Sequence, residues 1–157
     1  MAIVTVVSRF IGAGDYDKAR LYTKKLMKST YLYMAGTITI VLAVLPLILK
    51  LYNVSPEAET YARQIVWMHG LCAAVLWPLS FTLPQALRAA GDTRFTMIVS
   101  TVSMWTMRVG FGILLGRYLG FGVLGIWMAM FADWLLRIFF FLPRFHGHKW
   151  ETMGIRD

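Results

Sequence analysis

Three ionisable residues, Arg108, Asp133 and Arg137, interrupt long stretches that are otherwise free of charge. An ionised side chain held away from water is costly unless it is paired, so such residues either neutralise one another or use their charge. Asp133 and Arg137 are four residues apart, which places them on one face of a helix and lets them pair. The pair has two readings: a self-neutralising lock on helix packing, or a carboxylate that takes up and releases a coupling cation or proton. Arg137 also lies near the end of its stretch, from where its head can snorkel to a polar boundary. Arg108 lies about eight residues from the end of its stretch, and Asp133 about thirteen from the matching end of the next. At 1.5 Å per residue their depths differ by roughly 8 Å. A direct Arg108–Asp133 bridge therefore requires a stagger between the two helices or the full reach of the arginine. Trp105, one turn before Arg108, offers its ring face instead, and the expected role of Arg108 is a structural clamp.

A second concentration of chemistry lies on Gln64–Leu87, which has no charged residue but carries Trp67, His69, Trp77, Ser80, Thr82 and Gln85, with prolines at 78 and 84. A proline in a helix removes a backbone hydrogen bond and frees a carbonyl that can line a cavity. Trp67, His69, Trp77 and Gln85 are accordingly the candidate cavity-lining residues. A static kink satisfied by neighbouring helices is the competing reading, and a lone histidine such as His69 is more often packed than a proton carrier.

Little else carries chemistry. Cys72 is the single cysteine, which excludes an internal disulfide and any multi-cysteine metal site. No phosphate-cradling glycine loop, metal-ligand spacing or nucleophile–base pair occurs, so neither an enzyme nor a bound cofactor is expected. His146 and His148 flank Gly147 beside Lys149 and Trp150, an arrangement suited to anchoring at an interface. Asn53-Val54-Ser55 has the form of a glycosylation sequon but reads better as a turn before Pro56.

The elements that must position these residues are long helices in lipid. Of 157 residues 58% are hydrophobic and 15% charged, with a mean hydropathy of +0.59, whereas soluble domains carry about 45–50% apolar and about 25% charged residues. Four stretches reach the roughly 20 apolar residues a membrane helix needs: 30–52, 64–87, 95–116 and 118–143. Nothing alternates with period two, which argues against a β-barrel. Residues 1–14 are too short to span and read as the C-terminal end of a longer span. Residues 15–29 read as an amphipathic helix lying on the membrane, with Ala19, Tyr22 and Leu26 on one side and lysines on the other. The expected fold is an all-α polytopic bundle.

The net charge of +8 lies mostly in connecting segments and not on a nucleic-acid-binding face, so no nucleic-acid partner is expected. Arg9, Lys18, Arg20, Lys24, Lys25, Lys28, Arg88, Arg94, Arg144, Lys149 and Arg156 fall at one end of the bundle, against Lys50, Arg63 and Arg117 at the other. The bias alternates consistently across four spans and places the basic end, with the 144–157 tail, in the cytoplasm. Gly112 and Gly116 form a small-xxx-small pair that permits close helix approach.

Three segments together resemble the multidrug and toxic compound extrusion (MATE) transporters. Gly12-Ala13-Gly14-Asp15-Tyr16-Asp17-Lys18-Ala19-Arg20 is similar to the loop after the second helix of a MATE lobe. Ala86-Leu87-Arg88-Ala89-Ala90-Gly91-Asp92-Thr93-Arg94 is similar to the loop after the fourth. Gly125-Ile126-Trp127-Met128-Ala129, Asp133, Arg137 and Arg144-Phe145 through Lys149-Trp150 resemble the closing helix and tail. The resemblance implies two six-helix lobes exchanging cationic, often aromatic, compounds for Na⁺ or H⁺ by alternating access. It further implies that this chain corresponds to the end of the second through the sixth helix of the C-terminal lobe. The implied partners are the lipid bilayer, the missing N-terminal lobe and small cationic or aromatic compounds. Some members carry a cation-binding acid on the fourth helix of this lobe; Gln64–Leu87 has none, so that role does not transfer and the coupling ion stays open. A related lipid-linked oligosaccharide flippase and a small non-transporting accessory protein are the alternatives.

Overall fold

Left-handed residues and side-chain caps mark several of the helix ends. The computed structural model describes residues 2–53, 55–147 and 150, and five helices account for most of them: α1 (Ala2–Gly12), α2 (Tyr16–Tyr52), α3 (Pro56–Ala89), α4 (Thr93–Tyr118) and α5 (Gly122–His146). Between α1 and α2, Gly14 takes φ +72°, and the Asp15 carboxylate accepts from the Lys18 backbone N–H at 3.1 Å and caps the new helix. Asp15 also pairs with the Lys18 ammonium at 2.7 Å; that hydrogen bond holds the carboxyl below its ordinary value and raises the lysine. At the far end of α2, Asn53 adopts the left-handed conformation and donates to the Lys50 carbonyl; Ser55 then caps α3 ahead of Pro56. Val54, within the sequon-like turn, lies outside the described residues.

α2 differs from expectation. The stretch 15–29 runs without interruption into the following span, giving one helix of 37 residues. At 1.5 Å per residue it is about 56 Å long, well beyond a hydrocarbon layer of about 30 Å. Residues 16–35 contain no proline or glycine, so no local feature stops the helix from propagating. Its lysine-rich first third projects past the apolar region rather than forming a separate element.

α2, α3, α4 and α5 are each long and apolar enough to cross a membrane. Their outer faces carry Leu32 and Leu47, Leu71, Ile98 and Phe139 respectively, all well exposed. A surface that apolar, on helices long enough to span, fits a lipid environment. The protein is an all-α polytopic bundle.

Two packed regions hold it together. At the basic end, Ile3, Val7 and Ile11 recur every four residues along α1 and bury against Ala19 and Met27 of α2 and Leu83 and Leu87 of α3. Phe141 and Phe145 of α5 and the ring of Trp150 complete this cluster. Deeper in the bundle Ala73, Phe131 and Trp134 pack α3 against α5. α5 also approaches α4 closely, since a Cβ at Gly125 would meet the Leu115 carbonyl carbon at 2.8 Å and the Gly116 nitrogen at 2.9 Å. Gly112, expected to share that role, has only an ordinary 3.9 Å neighbour in Ala129.

Three segments depart from the α ladder. Pro78–Thr82 in α3 and Met104–Phe111 and Leu114–Tyr118 in α4 form π-helical turns with i→i+5 bonding. The α3 segment begins at Pro78, whose ring nitrogen cannot donate to the ladder.

Candidate functional site

A charge cluster, an aromatic group and an interfacial network occupy successive positions along the bundle. The first is centred on Asp133, whose side chain is 0% exposed. Arg137 Nε donates to Asp133 Oδ1 at 3.0 Å, and Arg108 Nε donates to Oδ2 at 3.0 Å. Arg137 is buried too and does not snorkel: its Nη2 donates to the Ser100 carbonyl at 3.1 Å, and its guanidinium lies 5.2 Å from the centre of the Phe81 ring. One arginine thus ties α3, α4 and α5 together. Arg108 reaches across from the π-helical part of α4. A π turn carries an additional residue per turn and shifts the phase of the helix, so straight-helix depth arithmetic does not hold there. Trp105 is 62% exposed, and the Arg108 head turns to Asp133. Two arginines share one carboxylate, which leaves the cluster with a net positive charge.

The second group lies between α3 and α5. The His69 ring meets Trp127 edge-on at 5.1 Å, Trp134 at 5.6 Å and Phe131 at 6.3 Å. His69 Nδ1, Trp134 Nε1 and, further along α3, Ser80 Oγ are buried with no hydrogen-bond partner among the described residues. Buried polar atoms are ordinarily satisfied, and two of these, on His69 and Trp134, lie in one aromatic group, whereas Ser80 is eleven residues further along α3. Trp77 stacks on Phe81 at 5.5 Å, and both line a cleft of about 320 Å³ with Thr82, Gln85, Ile3 and Val4. No charged side chain lines this cleft. Of the four candidate lining residues, Trp77 and Gln85 share this cleft and His69 joins the aromatic group; Trp67 stands apart on the outer face of α3, 50% exposed.

The third network was not visible in the sequence. Gly91 takes φ +90°, and Asp92, at the start of α4, turns its carboxylate to Arg144 of α5, whose Nε donates at 2.7 Å. The Arg144 guanidinium lies 4.7 Å from the centre of the Phe95 ring. Arg88 Nε donates to Thr96 Oγ1 at 3.2 Å. Beyond α5, the Trp150 ring stacks on Phe145 at 5.6 Å and donates from Nε1 to the Phe145 carbonyl at 2.9 Å, with the Arg20 guanidinium over the ring at 5.6 Å. Two of the family-like segments therefore meet through an ion pair 52 residues apart in sequence. Their shared membership of one motif set was the available signal. His148, Lys149 and residues 151–157 of the expected anchor lie outside the described residues.

The MatE family model matches residues 1–114, nearly three quarters of the chain. The chain belongs to the MatE family. Membership points to transport rather than catalysis, and to a multi-pass protein of the lipid bilayer. Curated MatE-like relatives extend the match over α5 as well. An uncharacterised transporter, YisQ, from Bacillus subtilis is 28% identical over 96% of this chain. A probable multidrug resistance protein NorM from Thermotoga maritima is 27% identical over 99% of it, and one from Bacillus licheniformis is 22% identical over 99%. The chain spans about a third of the length of these relatives, 33–35% in each case. No solved structure matches it.

Proposed function

We propose that this chain forms part of the C-terminal lobe of a cation-coupled multidrug exporter of the cytoplasmic membrane. The exporter would move cationic or aromatic compounds outward in exchange for Na⁺ or H⁺. The observation that carries this reading is the uncharged, aromatic cleft at the π-helical break of α3, lined by Trp77, Phe81 and Gln85. Flat aromatic cations bind stacked rings through dispersion and cation–π attraction, with few directed hydrogen bonds. At about 320 Å³ the cleft sits at the low end of drug-sized sites, which run to about 300–1,000 Å³. This suits one wall of a larger site whose other wall comes from further protein, as the length of the relatives suggests.

In this proposal Asp133 is a clamp between α4 and α5, because both of its oxygens are already engaged by guanidinium groups. The flippase alternative would place cationic residues along the cavity for anionic headgroups. The Trp77 cleft has none, and Arg108 is engaged with Asp133.

The test is efflux of ethidium from exporter-deficient cells by the complete transporter that carries this chain. Trp77→Ala with Gln85→Ala is expected to cut energy-dependent efflux at least severalfold while membrane abundance stays within error. Undiminished efflux by that variant would remove the cleft from the substrate path.

A further inference from the structure

A groove of about 350 Å³ opens between α2, α3 and α5 at the basic end, distinct from the Trp77 cleft. Its floor is apolar, built from Met27, Leu79, Leu83, Leu142 and Phe145. At its deep end Tyr31 closes it, the phenol donating to the Val75 carbonyl at 3.0 Å. At its outer lip stand Lys24, Lys28 and His146. Lys24, Met27, Lys28 and Tyr31 follow i, i+3, i+4, i+7 spacing, so one stripe of α2 carries both the ammonium groups and the apolar wall. From Lys24 to Tyr31 the groove runs about 10 Å along α2, from the lysine-rich third toward the apolar stretch of the helix.

The other cations of the first third of α2 are engaged. Lys18 pairs with Asp15, Arg20 lies over Trp150, and Lys25 lies 5.3 Å from the centre of the Tyr22 ring. Lys24 and Lys28 have neither a carboxylate nor a ring partner among the described residues, and both are exposed. Among the described residues the nearby acids are used elsewhere or stand aside: Asp15 on Lys18, Asp92 on Arg144, and Asp17 in the first turn of α2, off the groove lining. His146 Nδ1 meets the Leu142 carbonyl at 2.8 Å; a carbonyl only accepts, so Nδ1 carries the hydrogen and Nε2 is left for the lip.

We infer that this groove is a binding site for one anionic phospholipid, an acyl chain lying on the apolar floor and the phosphate held by Lys24 and Lys28. Unpaired ammonium groups one helical turn apart complement a phosphodiester, and their position above an apolar slot matches the order of head and tail in a lipid. A soluble phosphate meets only the lip and leaves the slot unfilled. The inference rests on the basic end lying at the headgroups and not on transport, so lipid retention and drug efflux stand or fall separately.

The experiment is native mass spectrometry of the full chain in mild detergent, titrated with phosphatidylglycerol or with phosphatidylcholine of the same acyl chains. One phosphatidylglycerol is expected to remain bound, in preference to phosphatidylcholine, and glycerol phosphate is expected not to displace it. K24Q with K28Q removes both groove-lip ammonium groups and is expected to weaken phosphatidylglycerol binding roughly thirtyfold. K25Q, whose lysine is off the groove, is expected to bind as the unaltered chain does. Leu79→Trp, which narrows the slot and keeps both lysines, is expected to lower retention of both lipids. Equal retention of the two lipids, displacement by glycerol phosphate, or unchanged affinity in K24Q/K28Q would each overturn the site.

Discussion

Asp133 balances two arginines, and that inequality governs how the cluster should respond to substitution. Asp133→Asn leaves Arg108 and Arg137 facing each other in a low-dielectric interior with no counter-charge. Arg108→Met leaves a balanced Asp133–Arg137 pair. Breaking a buried ion pair by removing one partner costs about 3–5 kcal/mol, so Asp133→Asn should sharply lower the melting temperature in detergent and the amount of protein in membranes. Arg108→Met should do much less, since Arg108 is 38% exposed and its loss leaves no orphan charge. Loss of efflux at normal abundance in Asp133→Asn would instead assign the carboxylate to coupling. A milder residue-scale test concerns the cap of α2. The Asp15 carboxyl is held below its ordinary value of 3.8 by the hydrogen bond from Lys18, so its contribution is present above about pH 4 and is lost as pH falls through the folded value. Hydrogen exchange in the first turn of α2 should speed up below pH 4 in the unaltered chain, after correction for intrinsic rates, and not in Asp15→Asn. The i, i+4 spacing made Asp133–Arg137 readable from the sequence. The Arg108 contact was not, because it depends on helix stagger and π geometry, and Asp92–Arg144 was not, because nothing local joins residues 52 apart.

At the scale of the elements, apolar length located all four spans, but their edges followed local chemistry that a hydropathy pattern does not report. α2 continues through its lysine-rich third because nothing there breaks it, so the amphipathic pattern at 15–29 describes a face and not a separate helix. The glycines divide in the same way. A Cβ at Gly125 collides with backbone of α4, which cannot move aside as a side chain would. Gly125→Ala should therefore destabilise by about 1–3 kcal/mol, read as a lower thermal midpoint. Gly36 has nothing within 4 Å, and Gly36→Ala in the interior of α2 should be neutral or stabilising by up to about 1 kcal/mol. Equal effects of the two substitutions would contradict the close α4–α5 contact. The small-xxx-small pattern had pointed to Gly112 and Gly116. Gly116 does sit at the close contact, where a methyl group would meet the Gly122 carbonyl oxygen at 3.3 Å, and the structure adds Gly125 on the facing helix, where the approach to backbone is tighter still.

For the whole molecule, the basic bias predicts an orientation. In a Cys72→Ala background, Glu57→Cys should react with a membrane-impermeant maleimide in intact cells, and Lys18→Cys should react only after permeabilisation. The reverse pattern would turn the bundle over. The all-α membrane architecture and the family resemblance were legible early, because long uncharged spans and loop motifs are properties of the chain itself. The aromatic cleft was legible only as a set of residue types on one span, since its walls come from α1 and α3 together. The chain spans about a third of the length of its relatives, so the role proposed for the cleft is tested in the complete exporter. The most direct measurement is energy-dependent ethidium efflux from exporter-deficient cells, comparing the 157-residue chain alone with the chain inside the complete exporter proposed above. The account predicts efflux only from the complete transporter, abolished when the ion gradients are collapsed. Efflux by the chain alone, or none by the complete transporter, would contradict it.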